Sequence, residues 1–170
     1  MNMIKRTWLY LLPLLFLCQS CGVYSFTGAS IPAEMKTVSV QFFENTAPLV
    51  VPNLSQQFTE ALRERIRNQT SLSMVRTDAQ ANFEGRISDY NIKSVAVQGD
   101  ERAGLNQLTI TVNVKYTNTL KPELGFEQSF TRYQNFSIAT RTLQSQEAEL
   151  IKNVNTQLTE DIFNRAFANW

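Results

Sequence analysis

The chain has 170 residues, with 16 Lys and Arg, 15 Asp and Glu, 2 Cys and no His. So even a charge balance argues against a nucleic-acid surface, which requires a strongly basic domain. The missing histidine excludes Ser-His catalysis and removes the commonest general base and metal ligand.

The first twenty residues read as a cleaved export signal. Lys5 and Arg6 form a basic front, Trp8–Leu17 is an apolar run interrupted by Pro13, and Ser20-Cys21-Gly22 closes it. The run is shorter than the roughly 20 apolar residues that span a bilayer, and it suits a signal h-region. A small residue directly before Cys21 makes its thiol the expected acceptor for diacylglycerol, whereas Cys18 follows bulky Leu17. The expected organisation is a signal peptide over 1–20, a lipidated tether over 21–36 and a single domain over 37–170. Acylation of Cys21 leaves no thiol for disulfides, catalysis or metal binding. Burial of about 0.8 kcal/mol per CH₂ makes an anchor of two or three acyl chains durable.

Beyond residue 20, loss of Lys5 and Arg6 leaves 14 basic against 15 acidic side chains, and 40 of the 150 residues are Thr, Asn or Gln. Polarity without net charge suits a surface that docks against another polar surface. Thr37–Phe43 alternates, with Val38, Val40 and Phe42 expected on one face, and predicts a strand. Asn53 and Gln56 resemble a capping box ahead of a helix whose apolar stripe is Leu54, Phe58, Leu62 and Ile66. Ser71–Arg76 predicts a short strand and Ala81–Val97 a long one, whose phase slips after Ile87 as at a β-bulge. Leu105–Leu120 is the clearest strand: Leu108, Ile110, Val112, Val114 and Tyr116 face one way, and Thr109, Thr111, Asn113 and Lys115 the other. Its polar face is expected to be bare of helices or covered by a polar partner. A turn at Lys121–Gly125 leads to a hairpin partner over Phe126–Ile138. The final helix is predicted over Thr142–Ala168, on a stripe of Ile151, Val154, Leu158 and Ile162 widened by Phe163, Ala166 and Phe167. The order gives an α+β two-layer sandwich, with about four mostly antiparallel strands and two helices packed on one face.

Candidate chemistry is sparse. Asp100/Glu101 and Glu160/Asp161 are adjacent carboxylates that do not converge on a substrate, and both pairs read as solvated surface charge. Arg63, Arg65 and Arg67 present phosphate-matching forks but stand beside Glu60 and Glu64, so a solvated helix face is the simpler reading. Lys93, Arg102, Lys115 and Lys121 are isolated cations on loops and strand edges, suited to an anionic amphiphile. No catalytic, metal or cofactor site is expected.

The Cys21-Gly22-x-Tyr24-Ser25-Phe26 opening, Gly28–Pro32, Val40–Phe43, Asn45 and Leu54–Leu62 together resemble the lipopolysaccharide-assembly lipoprotein family of Bacteroidetes-type bacteria. The likeness extends more loosely to the last helix. It implies a non-enzymatic outer-membrane lipoprotein that plugs a large β-barrel translocon and assists insertion of lipopolysaccharide into the outer leaflet. It implies the same fold, two helices on one side of a sheet. It also implies lipopolysaccharide contacts by basic side chains near one end of that sheet, with Lys93, Arg102 and Lys121 as candidates. Gly22 after Cys21, with no acidic cluster following, points to a periplasm-facing outer-membrane anchor. Thr37–Arg67 also resembles the strand–helix opening of TolB-like and curli-secretion-like domains, the alternative being another envelope secretion or assembly lipoprotein.

Overall fold

The computed structural model describes residues 31–95 and 105–168. The signal, Cys21, the tether up to residue 30, Asp100, Glu101, Arg102 and Trp170 lie outside the described residues.

Six strands and two helices form two layers. They are β1 (Thr37–Val40), β2 (Glu44–Asn45), α1 (Leu54–Gln69), β3 (Ser73–Met74), β4 (Ala81–Val95), β5 (Leu105–Asn118), β6 (Phe126–Ser137) and α2 (Leu143–Phe167). The sheet runs β3-β1-β4-β5-β6, with β2 also on β4. The strand count exceeds the four expected. β3 falls within the short strand expected at Ser71–Arg76, whereas β2 is two residues long, too short to show a period in the sequence. β4, β5 and β6 are antiparallel as expected, whereas β1 pairs in parallel with both β3 and β4 and β2 in parallel with β4. The parallel pairing follows from α1, which carries the chain back to the start of the sheet before β3.

β1 and β2 run along β4 with one extra residue between them. Val40 pairs with Phe83 and Glu44 with Arg86, so four steps on one strand oppose three on the other. The slip inverts the alternation. Phe43 is fully buried, and Phe42, expected on the face of Val38 and Val40, is 55% exposed. Gly85 opposite this slip is required by the close approach: a Cβ there would lie 2.0 Å from the Asn113 carbonyl oxygen and 2.7 Å from the Phe43 ring. The second irregularity falls between Ile87 and Asp89, where the phase slip placed it.

Both helices lay their apolar stripes on one face of the sheet. Leu54, Phe58, Leu62 and Ile66 of α1 are fully buried, as are Val154, Leu158 and Ile162 of α2, against Ile87, Leu108, Ile110, Val112 and Val114. Each such side chain contributes about 1.5–3 kcal/mol by leaving water. Phe83, Tyr116 and Phe167 cluster at one end of α2, with ring centroids 4.8–5.9 Å apart. At the other end the Tyr90 hydroxyl donates to Glu147 at 2.6 Å. Burial and this carboxylate push the Tyr90 hydroxyl well above its ordinary range. α2 begins on Thr142, whose side chain accepts from the Ser145 amide. The expected box at Asn53 does not form: Asn53 is left-handed at φ 61° and its side chain caps nothing.

Candidate functional site

Among the described residues, the opposite face of the sheet carries no helix. The register places Glu84, Arg86, Asp89, Asn91 and Lys93 of β4 on it, beside Lys115, Asn113, Thr111, Thr109 and Gln107 of β5 and Glu127, Ser129, Thr131, Tyr133 and Asn135 of β6. Polar side chains appear here because β5 alternates strictly and spends its apolar half on the core.

Neighbours on this face pair laterally. Thr111 and Thr131 hydroxyls lie 3.0 Å apart, Ser129 donates to Asn113 at 2.5 Å, and Gln107 donates to Asn135 at 3.0 Å. Ser39 donates to Asn82 at 2.6 Å at the margin. Lys115 meets Glu84 at 2.7 Å, and this contact, with Glu127 nearby, raises the ammonium above its usual range. Each group keeps spare lone pairs or protons toward solvent, so the plate is ordered and still offers hydrogen bonds outward. Phe42 joins Glu84, Arg86, Lys115 and Glu127 around a shallow groove of about 510 Å³ on this side. Tyr133 stands 53% exposed toward the β6 edge. Sequence reasoning missed Phe42, Arg86 and Tyr133. The adjacent pair Phe42-Phe43 carried the signal for the first, since two consecutive residues of a regular strand cannot both enter one core.

The candidate cations do not gather. Lys93 pairs with Gln107 near the β4–β5 connection, on the bare face. Lys121 follows β5 at the opposite end of the sheet, where Asn118 Oδ1 accepts from its backbone amide at 2.9 Å. The strand rise separates the two by roughly 35 Å. Arg102 lies outside the described residues.

Two of the three helix arginines, Arg63 and Arg65, have internal partners, in contrast to the solvated face expected of them. Arg63 donates to the Val40 carbonyl at 2.8 Å and pairs with Glu60 at 2.7 Å. Arg65 reaches across to α2, donating to the Thr156 carbonyl and Thr159 hydroxyl at 3.0 and 3.1 Å. Arg67 stays half-exposed near Glu60. Asp161 is likewise no free surface charge, because Arg132 of β6 forks onto both its oxygens at 2.5 and 2.7 Å. A groove of about 650 Å³ runs between the helices, lined by Arg65, Lys152, Asn155 and Thr156 among others. Among the described residues no cluster of carboxylates and thiols has metal-ligand geometry, and no helix is long and apolar enough to cross a membrane.

The family model described as lipopolysaccharide-assembly (LptE) matches residues 35–166. Solved structures resemble the chain at low identity. Rare lipoprotein B from Shewanella oneidensis is 14% identical with a TM-score of 0.50, over 76% of this chain and 92% of that one. A minor lipoprotein from Acinetobacter baumannii is 17% identical with a TM-score of 0.47, over 79% and 92%. A lipoprotein B from Nitrosomonas europaea is 18% identical with a TM-score of 0.47, over 76% and 80%. No curated protein matches the chain.

Proposed function

Because the chain belongs to the lipopolysaccharide-assembly family, we propose that it is a non-enzymatic outer-membrane lipoprotein that seats inside a large β-barrel translocon and assists insertion of lipopolysaccharide into the outer leaflet. Lipid on Cys21 holds it at the membrane, facing the periplasm. It requires no cofactor.

The observation that carries this reading is the bare, near-neutral plate of β4, β5 and β6. Interiors of large membrane barrels are polar, and a plug that fits one needs a surface rich in hydrogen-bonding groups but poor in net charge. Apolar docking would fail in such a lumen, and a strongly charged plate would carry an unrepaid desolvation cost. The Thr, Ser, Asn and Gln of this face satisfy one another laterally and can bond to a lumen wall or to ordered water between.

Lys93 and Arg102 are proposed as cations that contact lipopolysaccharide. Phosphates on an anionic headgroup suit an ammonium and a guanidinium acting together. Lys121, at the other end of the sheet from Lys93, contacts a different part of the assembly or a second headgroup.

A pull-down from detergent-solubilised membranes tests the main claim, with partners identified by mass spectrometry. The tag belongs on a long linker, because Phe167 packs in the core at 4% exposure. Recovery of one large barrel protein in stoichiometric amount is the expected result. Recovery of this protein alone under mild detergent overturns the reading. Lys93→Ala with Arg102→Ala should weaken lipopolysaccharide binding by about tenfold while barrel recovery holds; unchanged binding would remove the headgroup assignment.

A further inference from the structure

The sheet has two long stretches of edge, and they differ in their defences. Among the described residues, the far half of β4, from Asp89 to Val95, has no neighbour on its outer side, since β2 ends opposite Ile87, and the outer side of β6 has none either. That stretch follows a bulge and carries Asp89 and Lys93, devices by which proteins discourage strand pairing. β6 has no bulge, and its two charged side chains, Glu127 and Arg132, leave most of its length neutral. Its twelve residues, Phe126–Ser137, pair with β5 from Tyr116–Phe126 to Leu105–Ser137 without a break. They include no Pro, Gly or Lys. One of its two charged side chains, Arg132, is already forked onto Asp161. Main-chain donors and acceptors on the outer side of β6 therefore stand in a regular, unguarded row.

A recess adjoins that row. Arg132, Tyr133, Gln134 and Asn135 of β6 and Gln157 of α2 line a pocket of about 340 Å³. Strand addition draws affinity from main-chain bonds and specificity from a pocket that takes alternate side chains. This pocket is lined by amides, a phenol and an already neutralised guanidinium. It fits a neutral polar or aromatic side chain better than a charged one.

We propose that the outer edge of β6 receives an extended, neutral polar segment of the barrel partner, added as a further strand, with one side chain in the Arg132–Gln157 recess. This rests on the barrel reading above. The wall strands of a closed barrel have no free edge to offer. The added strand is therefore a loop or plug segment folded into the lumen. The neutral residues of β6 and its recess match such a segment in a polar interior.

Hydrogen exchange on the purified complex and on the protein alone, both full-length, tests the pairing. In the complex, outward amides of β6 should slow by at least about a hundredfold relative to the free protein, while the far half of β4 changes little. Thr131→Lys and Tyr133→Lys place a charge on the exposed edge and should lower barrel recovery by about tenfold. Gln56→Lys, exposed on α1 and away from both β6 and the plate, serves as a control for an added charge and should cost at most about twofold. Barrel recovery with unprotected β6 amides overturns strand addition and leaves the translocon reading standing. Absence of the barrel sinks that reading and this inference together. Protection of β6 in the protein alone, rising with concentration and accompanied by a dimer mass, overturns the proposal in favour of a second copy as occupant.

Discussion

The two faces of this sheet come from the same three long strands and are held by different physics. On the helix side, Ile110, Val112 and Val114 are completely buried under α1 and α2. Their positions are fixed by volume, because protein interiors are packed to crystal-like density. On the other side, Thr111, Asn113, Ser129 and Thr131 are held by lateral hydrogen bonds between exposed or half-exposed groups. Such bonds contribute roughly 0.5–1.5 kcal/mol each, and water replaces them at modest cost. Stability therefore resides on one face, leaving the other free to be shaped by what it touches.

Phe58→Ala should break the covered face most severely. It removes a fully buried ring that stacks edge-on to Phe43 at 5.1 Å, and should cost about 3–5 kcal/mol in urea unfolding. Gly85→Ala comes next, at about 1–3 kcal/mol, because its neighbour at 2.0 Å is backbone and cannot move aside. Thr59→Val leaves the Phe43 amide without its acceptor at 3.1 Å; a buried unpaired donor costs about 1–3 kcal/mol. On the bare face, Thr111→Val combined with Thr131→Val should stay within about 0.5 kcal/mol of the parent, yet reduce barrel recovery. A large loss of stability from that pair would collapse the contrast between the faces.

Alkaline pH gives another way to sharpen it. Burial raises the Tyr116 hydroxyl from 10.0 to about 12, and Tyr90 is raised further by burial and Glu147. A group whose folded pKa is raised stabilises the fold fully below its unfolded pKa and loses that contribution as pH climbs toward the folded one. Urea midpoints should hold up to pH 10 and fall from there toward pH 12. Tyr90→Phe should flatten the fall.

The sequence made the covered face legible. Leu54, Phe58, Leu62 and Ile66 recur at helical spacing, β5 alternates without error, and the slip after Ile87 announced its bulge. Burial imposes those periods, so they survive in the letters. Features set by tertiary pairing left no such trace. β2 owes its existence to its neighbour β4, and Phe42 turned outward because of a one-residue mismatch with β4. Asn53 adopted a left-handed turn where a cap was expected. The candidate cations show the same limit. Lys93 and Lys121 looked equivalent in sequence, and only the hairpin geometry sets them at opposite ends.

The β4–β5 ribbon has one further consequence. The described chain enters β1 level with Ala81 and Asn118, and the ribbon continues from there to Val95 and Leu105. Fourteen strand residues rise about 45 Å, against roughly 30 Å for the hydrocarbon thickness of a bilayer. The ribbon is therefore longer than such a barrier is thick. Fastened by its leading end at the inner leaflet and standing upright, it would carry its far tip past the opposite leaflet.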